Sequence, residues 1–199
     1  MTAHPWYEEV GNDNPLMQGD ILEACPVAIF ADKPGWHEAA DLENLLKVLR
    51  ESVGITTVRA IVMTQACDLL QGKVRYAILC PVYRLDEFRI AWEQRLREAG
   101  QLGNERNWQK ELRNIRDGRI WNLTMLSDRP KSEAGGLLTP HLIVDFHEVF
   151  SLPIAFVEAW TRKTGGGRLR LRPPYREHLS QSFARYFMRV GLPVDIELP

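Results

Sequence analysis

Val58–Ala66 (VRAIVMTQA) and Val74–Val82 (VRYAILCPV) carry the strongest fold signal in this chain. Each is short, apolar and rich in Val, Ile and Tyr, which is how a buried strand reads. The linker between them, Cys67-Asp68-Leu69-Leu70-Gln71-Gly72-Lys73, contains a glycine and suits a hairpin loop. Alternation along the first segment puts Ile61, Met63, Gln65 and Cys67 on one face, and Val62, Thr64, Ala66 and Asp68 on the other. Upstream, Gly19-Asp20-Ile21-Leu22 opens another strand, Asp20–Phe30, which Pro26 is expected to end or kink.

Outward from these strands the period changes. Leu42, Leu45, Leu46 and Leu49 recur at helical spacing within His37–Ser52, and Gly54 is the expected stop. Phe88, Trp92 and Leu96, then Trp108, Leu112 and Ile115, predict a helical hairpin over Leu85–Ala99 and Glu105–Asp117. Ile120–Leu126, Leu142–Phe150 and Arg168–Arg172 read as further strands, and Leu152–Thr161 fits a strand or a helix. After Pro173 and Pro174, an apolar seam of Tyr175, Leu179, Phe183, Phe187 and Val190 predicts a closing amphipathic helix. No repeat, low-complexity tract or linker interrupts the chain. The expectation is one α+β domain over residues 1–199, with a small, mostly antiparallel, barrel-like sheet. Its core would span about 18–83 and 119–172, with helices inserted at 84–117 and a C-terminal helix at 173–190.

At 199 residues, 45% hydrophobic and 26% charged, the chain can bury a core without metal or disulfide. The net charge of −1 excludes a globally basic nucleic-acid binder, so any basic surface must be local. Three cysteines, Cys25, Cys67 and Cys80, are too few and too scattered for a disulfide framework. The first ten residues show no basic leader followed by an apolar run, and no apolar stretch reaches the ~20 residues of a membrane span. A cytoplasmic protein without membrane contact or cofactor is expected.

Taken in order, Gly19-Asp20-Ile21, Arg59–Met63, Asp68–Lys73 and Tyr76–Val82 resemble the strand series of the MazF/PemK-like toxins, small SH3-like barrels that cleave RNA. The likeness is carried by residues 18–83; Leu142–Val149 follows by element order only. It implies a metal-independent endoribonuclease, or a degenerate one that still binds nucleic acid, and a homodimer. Arg59 occupies the place of the family's catalytic arginine, which would stabilise charge on the phosphorane. The Ser or Thr partner expected near the start of the third strand is missing from Lys73-Val74-Arg75-Tyr76, whose one hydroxyl is Tyr76; Thr64 is nearby in sequence but inside the preceding strand. About thirty residues with a helix replace the family's short first loop, and the helices at 84–117 are foreign to it.

Thr64-Gln65-Ala66-Cys67-Asp68 lies where a strand delivers its end to a loop, a common place for functional side chains. Cys67 is a nucleophile candidate if His141 or His147 approaches it; otherwise it is a small packed residue and Asp68 a turn cap. Zinc held by the three cysteines and these histidines would lack any signature spacing, so no metal site is expected. From residue 162 to 189 the chain is arginine-rich. Arg168, Arg170, Arg172, Arg176 and Arg185 are candidate phosphate contacts, with Trp160, Tyr175 and Tyr186 as stacking partners; a solvated or ion-paired face is the alternative. A third class is an adaptor that docks a protein partner through the helices at 84–117.

Overall fold

The computed structural model describes residues 6–31, 39–130 and 137–188. Strands β1 (Tyr7–Val10) and β2 (Asp20–Phe30) precede helix α1 (Leu42–Ser52), then β3 (Val53–Val62), α2 (Ala66–Leu70) and β4 (Tyr76–Arg84). A helical pair, α3 (Leu85–Glu98) and α4 (Glu105–Arg116), leads to β5 (Leu123–Leu126), β6 (Leu142–Asp145) and β7 (Phe150–Pro153). Helix α5 (Ile154–Thr164), β8 (Arg168–Leu171) and α6 (Tyr175–Phe187) complete the order. The class is α+β, and the eight strands form one antiparallel sheet in the order β1-β8-β2-β3-β4-β6-β5, with β7 on β4.

The sheet is open: β1 and β5, at the two ends of its path, share no ladder. Side chains bridge the gap instead. Tyr7 Oη donates to the Ser127 carbonyl at 2.6 Å, and Arg129 Nη1 to Glu9 Oε1 at 2.6 Å. Burial pushes the Tyr7 phenol well above its usual range, with the Asp128 carboxylate adding to the shift, so this hydroxyl remains a donor.

Both faces are covered where β3 and β4 pair, over Ala60–Val62 and Leu79–Val82, which is why these stretches read as continuous apolar runs. Ile61, Met63, Cys80, Val82, Val144 and Phe146 face the curled inside, where Leu179 of α6 joins them. Ala60, Val62 and Leu79 face the opposite way, against Leu16, Leu22 and Val157 of α5. Each Val, Leu, Ile, Met or Phe among them, withdrawn fully from water, contributes about 1.5–3 kcal/mol.

Several boundaries differ from the sequence reading for local reasons. The linker after β3 is the short helix α2, closed by Gly72 at φ 62°, rather than a simple hairpin turn. Pro26 does not end β2; a bulge between Leu22 and Cys25, with Ala24 at φ 49°, absorbs the irregularity and the ladder with β3 continues to Phe30. Gly54 does not stop α1, which ends at Ser52 and runs directly into β3; Gly54 lies in that strand opposite Ile29. Leu142–Phe150 is two strands, and 152–161 resolves mainly into α5. On α6, Tyr186 packs on Phe146 while Phe187 is exposed, so the seam turns away from the position expected; Val190 lies outside the described residues, as do His37 and Glu38.

The helices α3 and α4 pack against the sheet. Phe88, Trp92, Trp108 and Ile115 form one buried cluster with Leu123 of β5 and Ile143 of β6. Among the described residues no helix is long and apolar enough to cross a membrane.

One glycine is dictated by the fold. Gly19 sits at φ +83°, and a Cβ there would meet the Leu171 Cβ at 3.0 Å. Gly19→Ala is expected to cost about 1–3 kcal/mol, read as a lowered midpoint in urea; an unchanged midpoint would contradict the tight β2–β8 approach.

Candidate nucleic-acid interface

The four residues proposed for catalysis are not brought together. Arg59 lines a cleft of about 240 Å³ with Glu23, Arg84, Thr139 and Pro140. Its Nε donates to Glu23 Oε1 at 2.7 Å and its Nη1 to Glu87 Oε2 at 3.4 Å. Burial works against its charge, but the two carboxylates outweigh it and raise the guanidinium pKa. A cation already matched by two carboxylates is poorly placed to attract a phosphate. Thr64 lies about five residues further along, roughly 16 Å in extended chain. It is buried, and its Oγ1 accepts from the Ile78 amide at 2.6 Å. That hydroxyl serves to join β3 and β4.

Cys67 and Asp68 lie on α2, the Cys67 thiol directed to Asp68 Oδ1 at 3.8 Å. The histidines have other partners. His141 stands 3.6 Å from Asp128, and His147 contacts Asn122 at 3.0 Å and the edge of Tyr186. Among the described residues no group of three metal-ligating side chains forms. Cys25 and Cys80 are buried, and burial pushes their thiols up to about 11 and about 12, the Asp145 carboxylate adding to the latter. We predict that native protein reacts with a thiol reagent once per chain, at exposed Cys67, and at all three cysteines only after unfolding. Rapid reaction of a second thiol in the native state would contradict this packing.

The arginines of the C-terminal segment divide sharply. Arg168 and Arg170 share a strand face, as alternation requires, but that face holds the buried Asp20 rather than solvent. Arg168 Nε and Arg170 Nη2 donate to Asp20 Oδ2 at 2.7 and 3.0 Å, and Arg170 Nε donates to Oδ1. Arg168 also holds the carbonyls of Gly11, Asn14 and Pro15. These two arginines tie the N-terminal segment to the sheet and spend their donors inside the molecule, not on the phosphates expected from the sequence. Arg172 is exposed, 3.9 Å from Glu8, and Arg176 pairs with Glu177 at 2.7 Å. Of the three expected stacking residues, Tyr175 is stacked on Trp6, Tyr186 packs on Phe146, and Trp160 lies against Phe156.

Arg185 has a different setting. On α6, His178, Ser182 and Arg185 follow the i, i+4, i+7 stripe, while Leu179, Phe183 and Tyr186 turn to the core. Opposite that stripe, α4 ends at Arg116 and the chain turns through Asp117 and Gly118, the latter at φ 66°, into Ile120 and Trp121. The two sides enclose a cleft of about 130 Å³ floored by Ile115, Leu123 and Thr124. The Arg185 guanidinium lies 5.3 Å from the centre of the half-exposed Trp121 ring. Among the described residues Asp117 is the one carboxylate of the lining; it pairs with Arg116 at 2.9 Å and with neighbouring Arg119 at 3.8 Å. The result is a locally cationic cleft with an aromatic wall on a protein of near-neutral charge. Arg116, Arg119, Trp121 and His178 were not singled out in the sequence. The signal present is Arg116-Asp117-Gly118-Arg119, a charged turn two residues before Trp121.

Compared with family models, curated proteins and solved structures, the chain has no match.

Proposed function

We propose that this protein binds single-stranded nucleic acid, RNA by its resemblance to the MazF/PemK-like toxins, in the cleft between the α4–β5 turn and α6. The observation that carries the reading is the Arg185 guanidinium over Trp121, with Arg116 and His178 beside them. Guanidinium groups fork to phosphate oxygens, and indole rings stack on bases regardless of their identity. The open, curled sheet is read as a diverged SH3-like barrel whose ends are joined by side chains. No cleavage step is assigned, because Arg59 is neutralised by Glu23 and Glu87 and Thr64 is used in the sheet. The protein would act in the cytoplasm, where its three free thiols stay reduced.

Fluorescence anisotropy with a labelled U-rich RNA at several salt concentrations tests this. Each phosphate contact contributes about −0.7 to the slope of log K against log salt for a single strand. Arg116→Ala and Arg185→Ala should each flatten the slope by about that amount. Trp121→Ala should weaken binding about five- to a hundredfold. Arg59→Ala should leave binding unchanged. Absence of binding at low salt, or a loss on Arg59→Ala equal to that on Arg185→Ala, would overturn the assignment.

A further inference from the structure

Helix α4 carries a row of uncompensated cations. Arg106, Lys110 and Arg113 follow the i, i+4, i+7 spacing of one helix face, and all three are exposed. They stand opposite the buried Trp108 and Ile115, about one charge to each turn. Among the described residues none of the three pairs with a carboxylate. The acids of the helical pair are engaged elsewhere. Asp86 pairs with Arg84, Glu87 with Arg59, and Glu93 and Glu105 both with Arg89. Glu98 accepts from Gln94. Glu111 is half-buried and lies about 100° or more around the axis from each member of the row. A merely solvated face mixes signs, as Arg89 and Glu93 do on α3. Along α4 the outer face bears one sign only.

The row leads to the cleft. One turn beyond Arg113 is Asp117, which Arg116 and Arg119 both hold, so that end keeps a net positive charge. Arg185 reaches from α6 to the same turn: a Cβ on Gly118 would lie 3.8 Å from its Nη1. From Arg106 to Arg116 the helix rises about 15 Å. The cations therefore form a line, one charge wide, that ends beside Trp121. Such a line matches a single phosphate chain, and phosphate contacts position a strand without reading its bases. We propose that α4 is a track for the sugar–phosphate backbone of an extended RNA strand that enters the cleft at Trp121. The ligand is then a single strand of about four nucleotides or more, not a mononucleotide. This rests on the cleft as the nucleic-acid site and adds a second half to it, on helices foreign to the MazF/PemK-like toxins.

Fluorescence anisotropy over a range of salt tests the track, with a uridine dinucleotide compared with a uridine strand of about twelve nucleotides. The long strand should show the steeper slope of log K against log salt, by about 2 for the three added phosphate contacts. Arg106→Ala, Lys110→Ala and Arg113→Ala together should abolish that difference and leave dinucleotide binding unchanged. These are exposed changes to a better helix former, and circular dichroism checks that the fold is kept. Arg106→Lys with Arg113→Lys should retain the slope, since a point charge suffices for phosphate. A long strand whose slope ignores the triple change, yet falls on Arg185→Ala, would overturn the track and leave the cleft standing. Failure of both RNAs to bind at low salt would overturn both. Tighter binding of duplex RNA or of polyglutamate, lost in the triple variant, would give the row to another polyanion and overturn the proposal.

Discussion

Asp20→Ala is expected to remove about 3–5 kcal/mol of stability, a large part of the 5–15 kcal/mol of an ordinary domain. The Asp20 carboxylate is completely buried and accepts from Arg168, Arg170 and the Met17 amide. Its loss leaves the nearly buried Arg168 guanidinium without a counter-charge, and the desolvation cost that the ion pair offset then falls on the folded state alone. Three segments part together, because Arg168 also holds the carbonyls of Gly11, Asn14 and Pro15. Urea denaturation followed by tryptophan fluorescence measures the change. A loss below about 1 kcal/mol, the range of exposed pairs, would mean that water reaches this clamp.

The second large effect is at Trp108. Its ring is buried, 5.2 Å from Trp92 and 6.3 Å from Phe88, and Arg89 lies 5.5 Å above it. Trp108→Ala should cost about 3–5 kcal/mol, since the surrounding side chains cannot close over so large a gap. The same packing governs what happens when residues 84–117 are removed. Ile143 and Leu123, both buried in this cluster, would then face water on the last two strands of the sheet, β6 and β5. The shortened chain should fail to unfold cooperatively. A cooperative urea transition from it would show that the helical pair is a detachable adaptor after all.

The physics that made some parts legible in the sequence also explains what was hidden. Strands β3 and β4 are readable because both faces are buried over Ala60–Val62 and Leu79–Val82, so apolar character is continuous there and needs no partner to be named. The leucine stripe of α1 was readable as a helix, but period alone does not say whether anything covers it. Strand alternation puts Arg168 and Arg170 on a common face, yet the sequence does not tell that face from a solvated one. The anion that consumes them is Asp20, about 150 residues earlier in the chain. Thr64 and Arg59 were close in number, but their side chains serve different faces and different partners. The cationic cleft stayed hidden for the opposite reason. Arg116, Trp121, His178 and Arg185 come from two distant segments whose meeting depends on how α6 docks against the β5 side of the sheet.

The most direct test of the nucleic-acid assignment is photo-crosslinking of a 4-thiouridine-substituted single-stranded RNA to the native protein, with the modified peptides identified by mass spectrometry. The adducts are predicted on Trp121 and its neighbours in the turn after α4, and on the facing stripe of α6 around His178 and Arg185. Adducts confined to the Arg59 cleft, or an RNA that crosslinks nowhere on the folded chain at low salt, would contradict the account.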